Sequence, residues 1–231
     1  MNNNLIVAET FYSIQGEGHT MGVPAVFLRL GGCNLLCKSD NWVCDSIEVW
    51  QKGVKTDFND VLTDEYVDRL RNGAHLVLTG GEPMLHQKKI VEYIKWFEVE
   101  FNFKPIIEIE TNGTITPKDG FENYIDYWNC SPKLSNSGES YLRRFNDVAL
   151  HFINRLPNSM FKFVISKEND VLEVINEFSF LLGNKIWFMP SGENQKQLDE
   201  SRLMVVENCI KLGVHYSERL HIVIWNKKTG V

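Results

Sequence analysis

Three cysteines, Cys33, Cys37 and Cys44, crowd into the stretch GGCNLLCKSDNWVCDS at residues 31–46. Thiols so close can bind a metal, close a disulfide or simply be neighbours. Disulfides rarely persist in a reducing compartment, which favours the metal. Its kind stays open at this level. Zinc ribbons supply four Cys or His ligands in two close pairs, and the second pair is missing here. His19 or His75 could complete a set of four, although their spacing does not require it. A cubane [4Fe-4S] cluster takes one thiolate per iron, so three cysteines leave one iron open to another ligand. That openness suits catalysis better than a structural staple. Cys130 and Cys209, distant from the trio and from each other, read as small buried hydrophobes.

Further polar groups follow short apolar runs. Thr79-Gly80-Gly81-Glu82-Pro83 follows one, Glu110-Thr111-Asn112-Gly113-Thr114 a second, and Ser131-Pro132-Lys133 a third. The elements that must position them have a readable period. Runs at 25–30, 74–79, 106–110, 160–165, 185–189 and 220–225 read as buried strands. Helical spacing marks 86–103, with Ile90, Ile94 and Phe97 on one face beside Val91, and also 171–182 and 198–212. A shorter helix is predicted over 64–70 with Thr63 as its N-cap. The polar interval 135–146 reads as a long loop. Alternating strands and helices imply a parallel sheet with crossover helices, whose ligands bind at the carboxyl ends of the strands. The three polar strand ends and the cysteine loop then converge on one face.

The 231 residues, 43% hydrophobic, suit a single domain spanning 1–231 with a real core. A net charge of −6 argues against a surface built for nucleic-acid phosphates. No apolar run approaches the roughly 18 residues of a membrane span. Met1 to Asn4 and the apolar residues after them lack the basic start and long core of a signal peptide, so the expected compartment is the cytoplasm.

The cysteine triad and Gly80-Gly81-Glu82-Pro83 resemble the two signatures of radical S-adenosylmethionine enzymes. The likeness narrows to the 7-carboxy-7-deazaguanine synthase family. Residues 11–18 (FYSIQGEG), 27–35 (FLRLGGCNL), 44–46 (CDS) and 78–83 (LTGGEP) carry it, with 110–114 (ETNGT), 131–133 (SPK) and 162–164 (KFV). Arg219-Leu220-His221 and Trp225 add weaker matches.

This resemblance implies an α/β partial TIM barrel of about six βα units, often a homodimer. Cys33, Cys37 and Cys44 would hold a [4Fe-4S] cluster whose fourth iron takes S-adenosylmethionine. Reductive cleavage of that cofactor by an external electron donor's electron would yield a 5′-deoxyadenosyl radical. The radical would abstract hydrogen from C6 of 6-carboxy-5,6,7,8-tetrahydropterin, which contracts its ring and loses ammonia to give 7-carboxy-7-deazaguanine. By the same resemblance Val43, Cys44, Asp45, Gly81, Glu82, Asn112, Ser131 and Lys133 would contact S-adenosylmethionine. Ile14, Gln15, Gly16, Glu17, Arg29, Thr79 and His221 would contact the pterin. Ser46, where the family usually has threonine, would bind Mg²⁺.

Six residues separate Cys37 from Cys44 where the family usually has two. Lengthening a loop by so little costs well under roughly 1 kcal/mol, so the assignment stands, with Trp42 and Val43 expected beside the cofactor. Two other functions are consistent with parts of the pattern: a radical activase of a partner protein, and a noncatalytic zinc-binding interaction module. The Gln15-Gly16-Glu17-Gly18 block and Arg29 favour a small acidic heterocycle over a protein substrate, and a zinc module leaves the polar strand ends without a role.

Overall fold

The computed structural model describes residues 3–39, 43–44, 46–181, 183–228 and 230. Its parallel strands are β2 (Pro24–Leu30), β4 (His75–Gly80), β5 (Ile107–Thr111), β6 (Tyr127–Cys130), β7 (Ser159–Ile165), β8 (Ile186–Pro190) and the short β9 (His215–Tyr216). The antiparallel strands β1 (Asn4–Ile14) and β3 (Val54–Asp57) extend the sheet beyond β2. The order β3-β1-β2-β4-β5-β6-β7-β8-β9 leaves β3 and β9 as edges of an open sheet. Helices α1 (Ile47–Trp50) and α2 (Asp64–Arg71) fall between β2 and β4, and α3 (Gln87–Phe101) follows β4. Then α4 (Tyr141–Arg144) and α5 (Asp147–Arg155) follow β6, α6 (Glu168–Glu177) follows β7, α7 (Gln195–Leu212) follows β8, and α8 (Leu220–Trp225) follows β9. A 3₁₀ turn alone, Phe121–Tyr124, separates β5 from β6.

Strand periodicity divides the sheet into two chemistries. Successive side chains point to opposite faces. Val26, Leu28 and Leu30 of β2, Leu76 and Leu78 of β4, Ile107 and Ile109 of β5, and Phe161 and Phe163 of β7 join the helices in one buried core. The alternate positions supply the other face: Arg29, Thr79, Glu108 and Glu110, Asn129, and Lys162. Below this polar set, Phe11 stacks on Phe27 with centroids 4.8 Å apart, packed with Ala25 and Val77.

The longest predicted amphipathic helix is α3. It buries Ile90, Tyr93, Ile94 and Phe97, an i, i+3, i+4, i+7 stripe. Each such burial contributes roughly 1.5–3 kcal/mol. Asn102, at φ +56°, ends the helix in the left-handed region. Thr63 caps α2 as expected, its hydroxyl accepting the Tyr66 amide at 3.3 Å.

Three expectations change. Residues 4–14 form β1, an antiparallel partner of β2 that period-based reading passed over. The interval 135–146 is not a plain loop: it contains a 3₁₀ turn, Ser135–Ser137, and α4. Residues 220–225 are α8 rather than a strand. Only residues 217–219 separate Tyr216 of β9 from Leu220, too few to return the chain for another parallel strand. The segment instead bonds locally, Val223 N to Arg219 O at 3.1 Å and Asn226 N to Ile222 O at 2.8 Å.

Candidate active site

A cavity of about 870 Å³ opens at the carboxyl ends of the parallel strands. That is the upper part of the range for small-molecule sites. Cys33, Cys37 and Cys44 line one end of it. Cys33 leaves β2 through Gly31 and Gly32, and its Sγ accepts the Leu35 amide at 3.4 Å. Burial pushes its thiol up to about 11, against the Leu35 amide and with help from Glu82 and the other two cysteines. Burial likewise raises Cys37. Such thiols stay protonated near neutrality unless a metal displaces the proton.

The wide gap between Cys37 and Cys44 closes at its base. Cys44 N donates to Cys37 O at 3.0 Å, and Lys38 pairs antiparallel with Val43. The second and third cysteines are therefore brought together as directly as a shorter loop would bring them. Val43 lines the cavity. Asp45 and Trp42 lie outside the described residues.

The strand ends supply the remaining wall at this end. Gly80, at φ +140°, leaves no room for a side chain, because a Cβ would stand 2.2 Å from Leu30 O. A Cβ on Gly81 would stand 2.1 Å from Gly32 O and 2.7 Å from the Cβ of Cys33. The loop after β4 thus packs backbone to backbone on the root of the cysteine loop. Gly81, Asn112, Ser131 and Lys133 all line the cavity, with Lys133 Nζ donating to Ser131 Oγ at 3.3 Å. Asn112 also joins elements: its Nδ2 donates to Asn34 Oδ1 at 3.0 Å.

Glu82 behaves differently. It is fully buried and is not among the lining residues. One carboxylate oxygen accepts Met84 N at 3.0 Å and Thr111 Oγ1 at 2.7 Å; the other accepts Asn112 N at 2.7 Å. Its carboxylate fastens the end of β4 to the end of β5 instead of facing a ligand. Burial outweighs these bonds and the nearby Lys133, so its pKa is raised.

At the other end the cavity meets Ile14, Gln15, Gly16, Glu17, Arg29, Thr79 and His221. Arg29 Nε pairs with Glu9 Oε1 at 2.8 Å, an ion pair on the cavity wall that orients the guanidinium. Glu110, which the sequence reading leaves without a role, links two predicted contacts: it accepts Gln15 Nε2 at 3.3 Å and Thr79 Oγ1 at 2.8 Å. Glu17 ion-pairs with Lys162, and with Arg219 Nε at 3.0 Å, both also on the cavity wall. Burial alone would raise its carboxyl; Lys162 and Arg219 overcome this and hold it well below the usual carboxylate range. Glu110 and Lys162 carried a sequence signal, a charge at alternate positions of an otherwise apolar strand. His221, expected on a strand, instead sits in the first turn of α8 and still reaches the cavity. Ser46 lines the wall below Cys44, its carbonyl accepting the Val49 and Trp50 amides.

The donor set fits a cubane cluster. Three mutually interacting thiols share one cavity, and glycine at 80 and 81 lets the end of β4 pack directly on the backbone from which the cysteine loop springs. Among the described residues no three His, Cys, Asp or Glu are gathered to hold a single metal ion. A cluster asks for something else, one thiolate at each of three separate irons.

Residues 14–119 match a family model described as a 4Fe-4S single cluster domain. The fold is similar to the crystal structure of QueE from Escherichia coli, with a TM-score of 0.69 and 26% identity, covering 94% of this chain and 95% of that one. Fold, cysteine loop and cluster block place the protein in the radical S-adenosylmethionine class of iron–sulfur enzymes. Its relatives narrow this. It is 31% identical to 7-carboxy-7-deazaguanine synthase of Pyrobaculum aerophilum, covering 97% of this chain and 96% of the relative. It is also 31% identical to the synthase of Clostridium acetobutylicum, at 99% and 100% coverage. The chain belongs to the 7-carboxy-7-deazaguanine synthase family.

Proposed function

We propose that the chain converts 6-carboxy-5,6,7,8-tetrahydropterin to 7-carboxy-7-deazaguanine with loss of ammonia, a step of queuosine and 7-deazapurine biosynthesis. One observation carries this reading: a single cavity has the cysteine triad at one end and a dense set of hydrogen-bonding and charged groups at the other. Cluster and S-adenosylmethionine, held at the cysteine end, supply the hydrogen-abstracting radical chemistry.

The chain's own residues bind, orient and shield. Cys33, Cys37 and Cys44 hold the cluster. Gly81, Asn112, Ser131 and Lys133, with Val43 beside Cys44, form the wall for the cofactor, and Lys133 offers its ammonium to a carboxylate. Glu82 supports that wall from behind. Gln15, Gly16 and Thr79 present donors and acceptors to the pterin edge, positioned by Glu110. Arg29, oriented by Glu9, offers the rest of its planar fork to the substrate carboxylate. Glu17, Lys162 and Arg219 form a charged wall with His221 next to it. Ser46 supplies a hard oxygen to Mg²⁺, which typically keeps several waters. Residues 1–231 act as one domain, as a cytoplasmic homodimer reduced by an external electron donor. No helix of the described residues is long and apolar enough to cross a membrane.

The test is anaerobic reconstitution followed by incubation with reductant, S-adenosylmethionine, Mg²⁺ and the carboxytetrahydropterin. Formation of 7-carboxy-7-deazaguanine is the expected result. An intact cluster with no deazapurine product would return the activase reading, and stoichiometric zinc without iron would return the zinc module.

A further inference from the structure

Residues 33–37 are fastened in alternating register. Cys33, Leu35 and Cys37 line the cavity, while the positions between and after them are gripped from outside. The Asn34 carbonyl accepts Arg143 Nη2 at 2.8 Å. The Leu36 amide donates to Glu139 Oε1 at 2.5 Å. The Lys38 amide donates to Ser137 O at 3.0 Å. Glu139's second oxygen takes Arg143 Nε at 3.1 Å, so one carboxylate joins the loop amide to the guanidinium that also grips Asn34. The Glu139 side chain is 7% exposed. Gly138, at φ +77°, lies so close that a Cβ there would stand 1.9 Å from Lys38 O. The segment read from sequence as a loop is thus a strap across the back of the cysteine loop.

We infer that Glu139 is a positioning residue, holding Cys37 toward the cluster through the Leu36 amide, with Arg143 as its counter-charge. The inference rests on the proposed cluster ligation by the three cysteines. It has an electrostatic consequence that a purely mechanical brace would lack. Removing the carboxylate's charge favours the reduced, more negative cluster and raises its potential. Removing the guanidinium's charge lowers it.

The test compares the full chain with its E139A, E139Q, R143Q and C37A variants. In cluster-free protein, hydrogen exchange of the Leu36 amide accelerates roughly tenfold or more in E139A, whereas E139Q, which retains an acceptor, keeps most of the protection. After anaerobic reconstitution, wild type and E139Q bind equal iron and sulfide, and E139A surrenders its iron to a chelator roughly tenfold faster. The midpoint potential moves up in E139Q and down in R143Q. Unchanged Leu36 exchange in E139A, or potentials that shift in the same direction in E139Q and R143Q, would overturn the inference. If E139A does not fold, the two potentials decide. C37A separates the failures: full iron and sulfide in that variant sinks the cluster ligation, while exchange in cluster-free protein still judges the strap.

Discussion

His221 fills the space that a side chain at position 16 would need: a Cβ on Gly16 would stand 2.2 Å from its Nδ1. The backbones are also joined, Leu220 N donating to Gly16 O at 2.9 Å. Segments near the two ends of the chain therefore build one wall of the cavity. Gly16→Ala should drive the imidazole outward while leaving the cysteine end untouched. We expect kcat/KM for the pterin to fall roughly ten- to a hundredfold, with iron and sulfide content unchanged. Steady-state kinetics beside metal analysis checks it, and loss of iron would count against a local effect.

The ion network at Glu17 predicts a stability effect with a definite pH sense. Lys162→Met takes one of two cations from a buried carboxylate and leaves it paired with Arg219, and we expect roughly 3–5 kcal/mol of destabilisation at neutral pH. Glu17's folded pKa is depressed below its ordinary 4.5. Its contribution is therefore complete above that value and disappears as pH falls through the lower folded value. In Lys162→Met the depression shrinks, so the acid-side loss is smaller and is complete at a higher pH. Urea unfolding across an acid pH series would show this shift.

Glu82 carries the opposite sign. Its folded pKa is raised by burial, so the folded state holds an extra proton just above the ordinary carboxylate value, and stability falls as pH rises through that window. Glu82→Gln removes this fall. It also sets an amide donor against one of the three groups that now donate to Glu82, at a cost of about 1–3 kcal/mol. Guanidinium midpoints at pH 5 and pH 8 should differ more in wild type than in the variant.

Arg29 tests the substrate end alone. Its Nε is taken by Glu9, and a lysine cannot serve both that carboxylate and a second one with planar geometry. Arg29→Lys should raise KM for the pterin roughly tenfold or more while KM for S-adenosylmethionine stays put. A parallel rise in both would place the defect elsewhere.

The residues explain which parts of this were legible in the sequence. Strands β2, β4, β5, β7 and β8 announce themselves because their helix-facing positions are packed with aliphatic and aromatic residues. Thr63 is readable because a cap is a local hydrogen bond. Site positions such as Gln15, Arg29 and Gly81 came from motif resemblance, and the structure gathers them on one cavity. The roles of Glu82 and Glu110 were not readable, because their partners at Thr111, Asn112, Gln15 and Thr79 are set by strand neighbours distant in sequence. Residues 220–225 misled because Ile, Val and Trp favour strands until the sheet offers no place for one. The strap at 137–143 left no period at all. Its bonds run to backbone atoms of the cysteine loop, which any residue type can supply.

The pairing of Lys38 with Val43 and of Cys37 with Cys44 closes the interval between the last two cysteines at its root. Its root is fixed in register, so chain added or removed beyond that root leaves the thiol positions where they are. Spacing between cysteines is then a poor ruler for cluster geometry in this fold. Relatives whose intervals differ in length can share one reaction centre, and a search that demands a fixed interval will pass over proteins like this one.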